Sequence, residues 1–275
     1  MANVCVITGG GSGMGLAAAK FMPKDKIIVV SGRTLSKLEN AVSELKALGY
    51  EAYAKACDTS KRESVKELVA FAAGLGEIKN VIHAAGVSPA MNGTPESVLR
   101  INALGTVYVN QEFTKVMKPG SVILDVASTS AYMLPSFMVP KKLFPLAETD
   151  EETFIKKLVS KSNMAKGDYF KRGMAYSFSK VFVIWYAKKC AFEYGPKGIR
   201  FVSLSPGLIA TDMGNMETEA GGALTDTTAE NRMGKPEELG YALATVVDER
   251  NGYLTGVDIL CDGGSISGKE FKKKK

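Results

Sequence analysis

The chain has 275 residues, 45% of them hydrophobic, which is enough to bury the core of one large α/β domain. Its formal net charge is +6, but Lys272 to Lys275 supply four of these charges, so the remainder lacks the cationic surface that nucleic-acid-binding domains need. No apolar run approaches the roughly 18 residues that span a bilayer, and no signal peptide opens the chain, so we expect a cytoplasmic protein without a membrane span.

Short apolar runs alternate with segments of helical spacing along the whole chain. The predicted strands are 4–8, 26–30, 51–56, 80–84, 121–126, 200–204 and 258–261. The predicted helices are 16–21, 35–48, 64–73, 94–117, 176–194 and 236–247. This alternation implies right-handed crossovers, and it therefore predicts an α/β fold with a Rossmann-type, doubly wound parallel sheet in a single domain.

Residues 135–173 interrupt the alternation, because they are too many for an ordinary connection between a strand and a helix. Within them, Thr149 is followed three residues later by Glu152, which is the spacing of a capping box. We therefore expect a partly helical insertion at 135–173, with a helix over 149–163.

A glycine-rich turn at 8–15 follows the first strand and opens the first helix. Glycines let the backbone approach a pyrophosphate, whose charge the helix N-terminus attracts. A tight turn without a ligand would use the same residues, but the flanking strand and helix favour a dinucleotide site. We expect Gly9, Ser12, Gly13 and Met14 to contact it.

The end of the second strand bears on the choice of dinucleotide. No Asp or Glu occurs between Asp25 and Glu39 to hold the ribose 2′-hydroxyl of NAD(H). Arg33 instead offers a guanidinium that suits a 2′-phosphate, although a solvated arginine is the alternative interpretation. The sequence favours NADP(H) and leaves NAD(H) possible.

Tyr176 and Lys180 are four residues apart and so share one face of a helix. The pKa of free tyrosine is about 10, but an ammonium about 4 Å away contributes roughly 4 kcal/mol at an effective dielectric of about 20. This would lower the pKa by up to about three units and suit Tyr176 for proton transfer. The spacing alone also arises by accident.

Together, the glycine-rich turn and the tyrosine–lysine pair resemble the short-chain dehydrogenase/reductase family over nearly the whole chain. The resemblance implies an enzyme that acts on CH–OH groups with NAD(P), without a metal. It implies four catalytic residues: Ser128 to orient the substrate oxygen, Tyr176 as acid/base, Lys180 to bind the nicotinamide ribose, and Asn102 to hold a water in a proton relay.

Further matches imply contacts with the cofactor. Residues 83–86 resemble the asparagine-rich strand end of the family, with His83 in the first place, where we expect a structural role. Residues 206–211 match the segment that holds the nicotinamide carboxamide. The full set of implied cofactor-binding residues is Gly9, Ser12, Gly13, Met14, Arg33, Asp58, Thr59, Ala84, Ala85, Gly86, Tyr176, Lys180, Gly207, Ile209, Thr211 and Met213.

The chain departs from most members of the family in the spacing of Ser128 and Tyr176, which lie 48 positions apart. Because the insertion enters just after Ser128 and returns just before the helix of Tyr176, we expect it near the substrate cleft or beside that helix. A similarly placed insertion occurs in some bacterial 3α-hydroxysteroid dehydrogenase/carbonyl reductases, so the chain resembles that subgroup. Residues 212–223 look like a mobile substrate lid. A further set of apolar residues would either line a pocket with it or pack ordinarily: Met133, Leu134, Phe137, Met138, Leu143 and Phe144.

The sequence therefore predicts a dinucleotide-binding catalytic domain at 1–268, with the insertion, and a basic tail at 269–275. The predicted substrate is a bulky apolar secondary alcohol or ketone, such as a hydroxysteroid or bile acid. A 3-oxoacyl-thioester reductase and a non-catalytic dinucleotide-binding regulator are the alternatives. The resemblance implies a homodimer or homotetramer, and an insertion beside the catalytic helix would remodel the usual contact.

Overall fold

The computed structural model describes residues 2–221 and 228–271. In chain order, its strands are β1 Asn3–Thr8, β2 Lys26–Gly32, β3 Ala52–Ala56, β4 Glu77–His83, β5 Val122–Val126, β6 Arg200–Pro206 and β7 Asp258–Cys261. Its α-helices are α1 Gly13–Lys20, α2 Leu35–Ala47, α3 Arg62–Leu75, α4 Pro95–Leu99, α5 Gly105–Thr114, α6 Leu146–Thr149, α7 Glu151–Ser162, α8 Asp168–Tyr194, α9 Asp212–Gly221, α10 Pro236–Val246 and α11 Ser265–Phe271.

Within the described residues, the seven strands form one parallel sheet in the order β3-β2-β1-β4-β5-β6-β7. The order reverses between β1 and β4, and ligands of doubly wound sheets bind outside the carboxyl ends of the strands at such a point. The predicted fold class is confirmed.

Helices cover both faces of the sheet because each strand is apolar on both sides. On one face, Val6, Val81 and Ile123 pack in a core that also includes residues of α3, α5 and α8. On the other, Ile7 and Ile82 pack in a second core with residues of α1, α2 and α10. The five central strands are almost fully buried between the two layers, whereas the edge strands β3 and β7 are partly exposed.

Two predicted helix boundaries were wrong. The helix predicted at 94–117 is divided, because a π-helical turn at Arg100–Leu104 separates α4 from α5. The catalytic helix predicted from Tyr176 begins at Asp168, after Gly167, whose φ of 86° stops the preceding chain from running straight into it. The last residues assigned to the insertion therefore belong to α8.

The inserted segment contains the predicted helix, but Thr149 does not cap it. Thr149 ends the short α6, and the side chain of Asp150 instead accepts a hydrogen bond from the Thr153 amide at 3.0 Å at the start of α7. Glu152 is unavailable for a capping box because both of its oxygens accept hydrogen bonds from Arg100.

Ion pairs and aromatic rings attach the insertion to the rest of the domain. Arg62 on α3 bonds both Glu112 on α5 and Glu151 on α7, at 2.8 and 3.1 Å. On the inner side, the ring of Phe144 lies 5.3 Å from Phe182 and 5.5 Å from Trp185, both on α8. The insertion is therefore a packed layer against α8.

The described residues include no helix long and apolar enough to cross a membrane. The predicted lid lies on α9 as far as Gly221, and its remainder lies outside the described residues. The helix α11 continues to Phe271, beyond the predicted start of the basic tail, whose last four lysines also lie outside them.

Candidate active site

The turn between β1 and α1 has a backbone that only glycine accommodates. Gly9 and Gly13 have φ angles of 71° and 54°, in the left-handed region. A Cβ on Gly9 would lie 2.8 Å from the backbone of Ala84 and Ala85, and one on Gly15 would collide with the carbonyl oxygen of Gly9. These close approaches pack the turn against the chain after β4, at the N-terminus of α1, which attracts an anion.

A cleft of about 490 Å³ runs from this turn along the carboxyl ends of the strands. This size suits a cofactor or a drug-sized ligand. It is lined by most of the predicted dinucleotide contacts: Gly9, Ser12, Gly13, Met14, Arg33, Asp58, Thr59, Ala84, Ala85, Gly86, Thr211 and Met213. Thr211 closes one side, because a Cβ on Gly13 would touch its methyl group at 3.4 Å.

The cleft continues into a narrow end of about 60 Å³, which Ser128, Tyr176 and Lys180 line together. Gly207 and Ile209 also lie there, while Met14, Gly86 and Met213 line both parts. The residues predicted to bind the cofactor therefore face one cleft together with three of the four predicted catalytic residues, Ser128, Tyr176 and Lys180.

Lys180 is held in this end by the sheet. It is 7% exposed, and its Nζ donates a hydrogen bond to the carbonyl oxygen of Val126 at 2.9 Å. The same nitrogen lies 5.6 Å from the centroid of the Tyr176 ring. Because an ammonium so placed is fixed and largely desolvated, it acts on its neighbours more strongly than a solvated lysine does.

Asn102 lies behind the cleft and not in its lining. Its side chain bonds both backbone groups of Val87, each at 2.9 Å, and donates to the Ser179 hydroxyl at 3.3 Å. It lies on the π-helical turn, and a Cβ on Gly86 would come within 3.1 Å of its Oδ1. Asn102 therefore connects the loop after β4 to α8.

The segment that carries Ser128 is fixed at two points. The Ser128 hydroxyl accepts a hydrogen bond from the Ser130 amide at 3.1 Å. Four residues later, the Tyr132 hydroxyl donates to Asp258 at 2.6 Å, which ties the segment to β7. The two bonds hold Ser128 at the mouth of the narrow end.

Known families match this arrangement over the whole described site. A family model described as short chain dehydrogenase matches residues 3–140, and one described as Enoyl-(Acyl carrier protein) reductase matches residues 137–265. The chain belongs to the short-chain dehydrogenase family. It is therefore an oxidoreductase of the class that acts on CH–OH groups with NAD(P).

Individual relatives in this family are distant. "Short-chain dehydrogenase/reductase bsc3" of Alternaria brassicicola is 26% identical over 270 residues, covering 96% of each chain. "Cyclohexanol dehydrogenase" of an Acinetobacter species is also 26% identical, over 96% of this chain and 95% of the relative. A short chain dehydrogenase from Burkholderia cenocepacia, solved in complex with NADP, has a TM-score of 0.76 at 20% identity, covering 95% of this chain and 96% of that one.

Two ionisable groups lie within the sheet just below this short-chain dehydrogenase site. His83 is buried, its Nδ1 lies 2.7 Å from the Thr8 hydroxyl, and burial with a smaller contribution from Lys180 lowers its pKa to about 3. Burial raises the pKa of Asp125 to about 7, although a hydrogen bond from Asn110 and the charge of Lys180 oppose this rise. The neutral, bonded His83 is consistent with the structural role expected of it.

The sequence interpretation missed Lys37, which is exposed on α2 and lines the cleft with Arg33. Its backbone is close to the glycine-rich turn, since a Cβ on Gly11 would lie 3.5 Å from the Lys37 Cβ. Its place four residues after Arg33, in the first turn of a predicted helix, was a usable signal, because that turn also faces the carboxyl ends of the strands.

Of the two interpretations left open for the apolar residues that follow Ser128, ordinary packing describes the inner ones. Phe144 is fully buried against α8, and Leu134 and Leu143 pack against the core as well. Met133, Phe137 and Met138 are exposed instead, with Phe137 at 87%. Among the residues that the structure describes, none of these six lines the narrow end beside Tyr176. Hydrophobic residues of an insertion are needed first for its own packing.

Proposed function

We propose that this oxidoreductase interconverts a secondary alcohol and a ketone, with Tyr176 as the acid/base and NADP(H) as the preferred cofactor. The observation that carries the proposal is the narrow end of the cleft, where Ser128, Tyr176 and Lys180 face the same space. A non-catalytic regulator would need the wide part of the cleft for its dinucleotide but not these three side chains together.

The cofactor fits the wide part because the residues of the glycine-rich turn line it at the N-terminus of α1, which attracts a pyrophosphate. The nicotinamide, when bound, supplies or accepts the hydride. Ser128 donates a hydrogen bond that orients the substrate oxygen, and the Tyr176 Oη gives that oxygen a proton during reduction. Lys180, held by Val126, favours the ionised phenol that remains and binds the nicotinamide ribose.

In this proposal, Asn102 positions other groups of the cleft. Its bonds to Val87 and Ser179 hold the loop after β4 against α8, so that Gly86 and Lys180 keep their places in the cleft. The relay water that the family resemblance implies would be held at this same turn.

The proposed preference for NADP(H) rests on Arg33 and Lys37, two exposed cations that line the part of the cleft beyond the glycine-rich turn. The Burkholderia relative solved with NADP is consistent with this preference. NAD(H) is the alternative cofactor, and a comparison of binding with and without the 2′-phosphate distinguishes them.

For the substrate we propose an apolar alcohol or ketone, with a hydroxysteroid or bile acid as the bulky case. Exposed Met133, Phe137 and Met138 follow the Ser128 segment and offer an apolar surface outside the narrow end. The cyclohexanol dehydrogenase relative supports a cyclic alcohol. The rival substrate is a 3-oxoacyl thioester; the second family model, described as Enoyl-(Acyl carrier protein) reductase, supports an acyl thioester but is named for a C=C bond and not for a ketone.

The experiment is a screen of NADPH and NADH oxidation with cyclohexanone, steroid ketones, bile-acid ketones and acetoacetyl thioesters. We expect turnover with cyclic or steroid ketones, more with NADPH than with NADH. Turnover confined to the thioesters would replace the proposed substrate, and turnover by a Tyr176→Phe variant at the original rate would refute the mechanism.

A further inference from the structure

A row of polar side chains crosses the apolar sheet one level below the cleft. The strand register pairs Thr8 of β1 with His83 of β4, His83 with Asp125 of β5, Asp125 with Ser203 of β6, and Ser203 with Asp258 of β7. Paired residues of neighbouring strands point to the same face of a sheet, so this row faces the core that contains α5 and α8.

The row is buried, and its members only partly satisfy one another. Thr8, His83, Asp125 and Ser203 are each at most 3% exposed. The Thr8 hydroxyl bonds His83, and the Ser203 hydroxyl donates to Asp258 at 2.5 Å. Within the described chain, His83 Nε2 and Asp125 Oδ1 have no hydrogen-bond partner. Burying such groups is unfavourable, so a row that serves only to pack would be better made of apolar residues.

Of the two carboxylates in this row, Asp125 lies nearer in the sequence to the catalytic residue Ser128. Its own strand continues into Val126, whose carbonyl oxygen accepts the hydrogen bond from Lys180 Nζ. From α5, Asn110 donates to Asp125 Oδ2 at 2.7 Å. The positive charge of Lys180 on α8 acts on Asp125 and favours its ionised form.

The other groups that face Asp125 carry no charge near neutral pH. His83 on β4 stays neutral because burial lowers its pKa to about 3. Cys190 on α8 stays a thiol, because burial and then the charge of Asp125 raise its pKa. Ser203 on β6 does not ionise in this range. Asp125 and Lys180 are therefore the two groups of this cluster that carry charge near neutral pH.

We propose that Asp125 is a positioning residue that acts through Lys180. It is a buried counter-charge, one residue before Val126, whose carbonyl oxygen holds Lys180. Asp125 limits how strongly the Lys180 ammonium favours the ionised phenol of Tyr176. The proposal rests on the proposed function of Tyr176 and Lys180. Ionised Asp125 opposes the lysine, while protonated Asp125 leaves the full charge of the lysine acting on the phenol. The pKa of Asp125 lies at about 7, so this change falls in the range where an enzyme works.

The test is a difference titration of the tyrosinate absorbance, which needs neither cofactor nor substrate. The titration of a Tyr176→Phe variant is subtracted from that of the protein, and the difference isolates the ionisation of Tyr176. In an Asp125→Asn background, we expect the midpoint of this ionisation to fall by about one pH unit, because the opposing charge is gone. The asparagine keeps an oxygen to accept from Asn110.

Asn110→Leu provides a second variant for the case in which Asp125→Asn does not fold. Loss of the Asn110 donor disfavours the Asp125 carboxylate, so the Tyr176 midpoint should move in the same direction by a smaller amount. Glu112→Gln is the matched control: Glu112 is a buried carboxylate on α5 that pairs with Arg62 and Lys115, and its removal should leave the midpoint in place.

A Tyr176 midpoint that is low in the protein and identical in Asp125→Asn or Asn110→Leu would overturn the inference and leave the proposed function standing. An equal shift in Glu112→Gln would also overturn it, because the effect would then be one of net charge. A Tyr176 midpoint at or above that of free tyrosine in the unchanged protein would instead contradict the proposed function itself.

Discussion

Backbone contacts determine the shape of the wide part of the cleft, whereas side-chain contacts determine the shape of the insertion that packs against α8. In the wide part, the backbone makes the shape: glycines at strand ends approach one another so closely that side chains have no room. In the insertion, side chains make the shape, through the Arg62 ion pairs and the rings around Phe144. The glycine-rich turn of the wide part therefore tolerates few substitutions, whereas the exposed residues of the insertion can change freely.

The same difference decides which residues matter for which property. A residue in the cleft should change binding or turnover and leave stability nearly intact. A buried residue of the insertion should do the reverse, and an exposed one should change stability little.

Tyr176→Phe should lower turnover by about 10²–10⁴-fold, because it removes the group that exchanges the proton with the substrate oxygen. Binding of NADPH should remain nearly unchanged, since Tyr176 lines the narrow end of the cleft and not the wide part that the glycine-rich turn and Arg33 line. The rate with the ketone found in the screen and the NADPH dissociation constant are the measurements. A variant that loses cofactor affinity and turnover equally would place Tyr176 in binding alone.

Phe144→Ala should lower the free energy of unfolding by about 3–5 kcal/mol, since it empties a fully buried site against Phe182 and Trp185. Phe137→Ala, at an 87% exposed position of the same segment, should change it by less than about 0.5 kcal/mol. Chemical denaturation measures both. Equal losses would show that Phe137 is buried in solution, for example by a second copy of the chain.

The pH dependence of stability should separate His83 from Asp125. The pKa of His83 falls from 6.5 to about 3 on folding, so it contributes stability above its unfolded pKa that is lost as pH falls. The pKa of Asp125 rises from 3.8 to about 7, so it contributes stability at low pH that is lost as pH rises through about 7. Between pH 3.8 and 6.5 the two trends oppose each other.

Asp125→Asn should therefore lose stability as pH falls through this window, by about 1 kcal/mol per pH unit relative to the protein, because only the His83 trend remains. His83→Asn should show the opposite slope. Urea titrations at several pH values measure both. Parallel curves for the three proteins would mean that neither group changes its ionisation on folding.

Arg33→Ala should weaken NADPH binding by about tenfold or more and leave NADH binding unchanged, because only NADPH carries the 2′-phosphate. Lys37→Ala should act in the same direction. Calorimetry with both cofactors measures the difference. Equal weakening of NADPH and NADH by Arg33→Ala would assign this arginine to the pyrophosphate or to the fold.

The sequence located the residues that line the wide part of the cleft because its signals there are local. A strand, a glycine-rich turn and a helix occur in one run of residues, and the wide part of the cleft contains Gly9, Ser12, Gly13 and Met14 as expected. The position of Arg33 was also predictable, because Arg33 directly follows the second strand and so lies at the carboxyl edge of the sheet.

The substrate side was not predictable in the same way. Whether Phe144 lines a pocket or fills a core depends on where α8 lies, and spacing along the insertion does not contain that information. The polar row from Thr8 to Asp258 was equally hidden, since it exists only once the strands are in register. The π-helical turn at Asn102 has no distinct sequence pattern, and the bonds of Asn102 to Val87 and Ser179 lie in tertiary contacts.

The proposed chemistry requires the Lys180 ammonium to make the Tyr176 phenol a usable acid/base. Difference absorbance measures the ionisation of Tyr176 in the protein and in Lys180→Met, each against the same background with Tyr176→Phe. We expect a midpoint well below the value of about 10 for free tyrosine in the protein, and a return to about 10 or above in Lys180→Met. The same midpoint with and without the lysine would contradict this requirement.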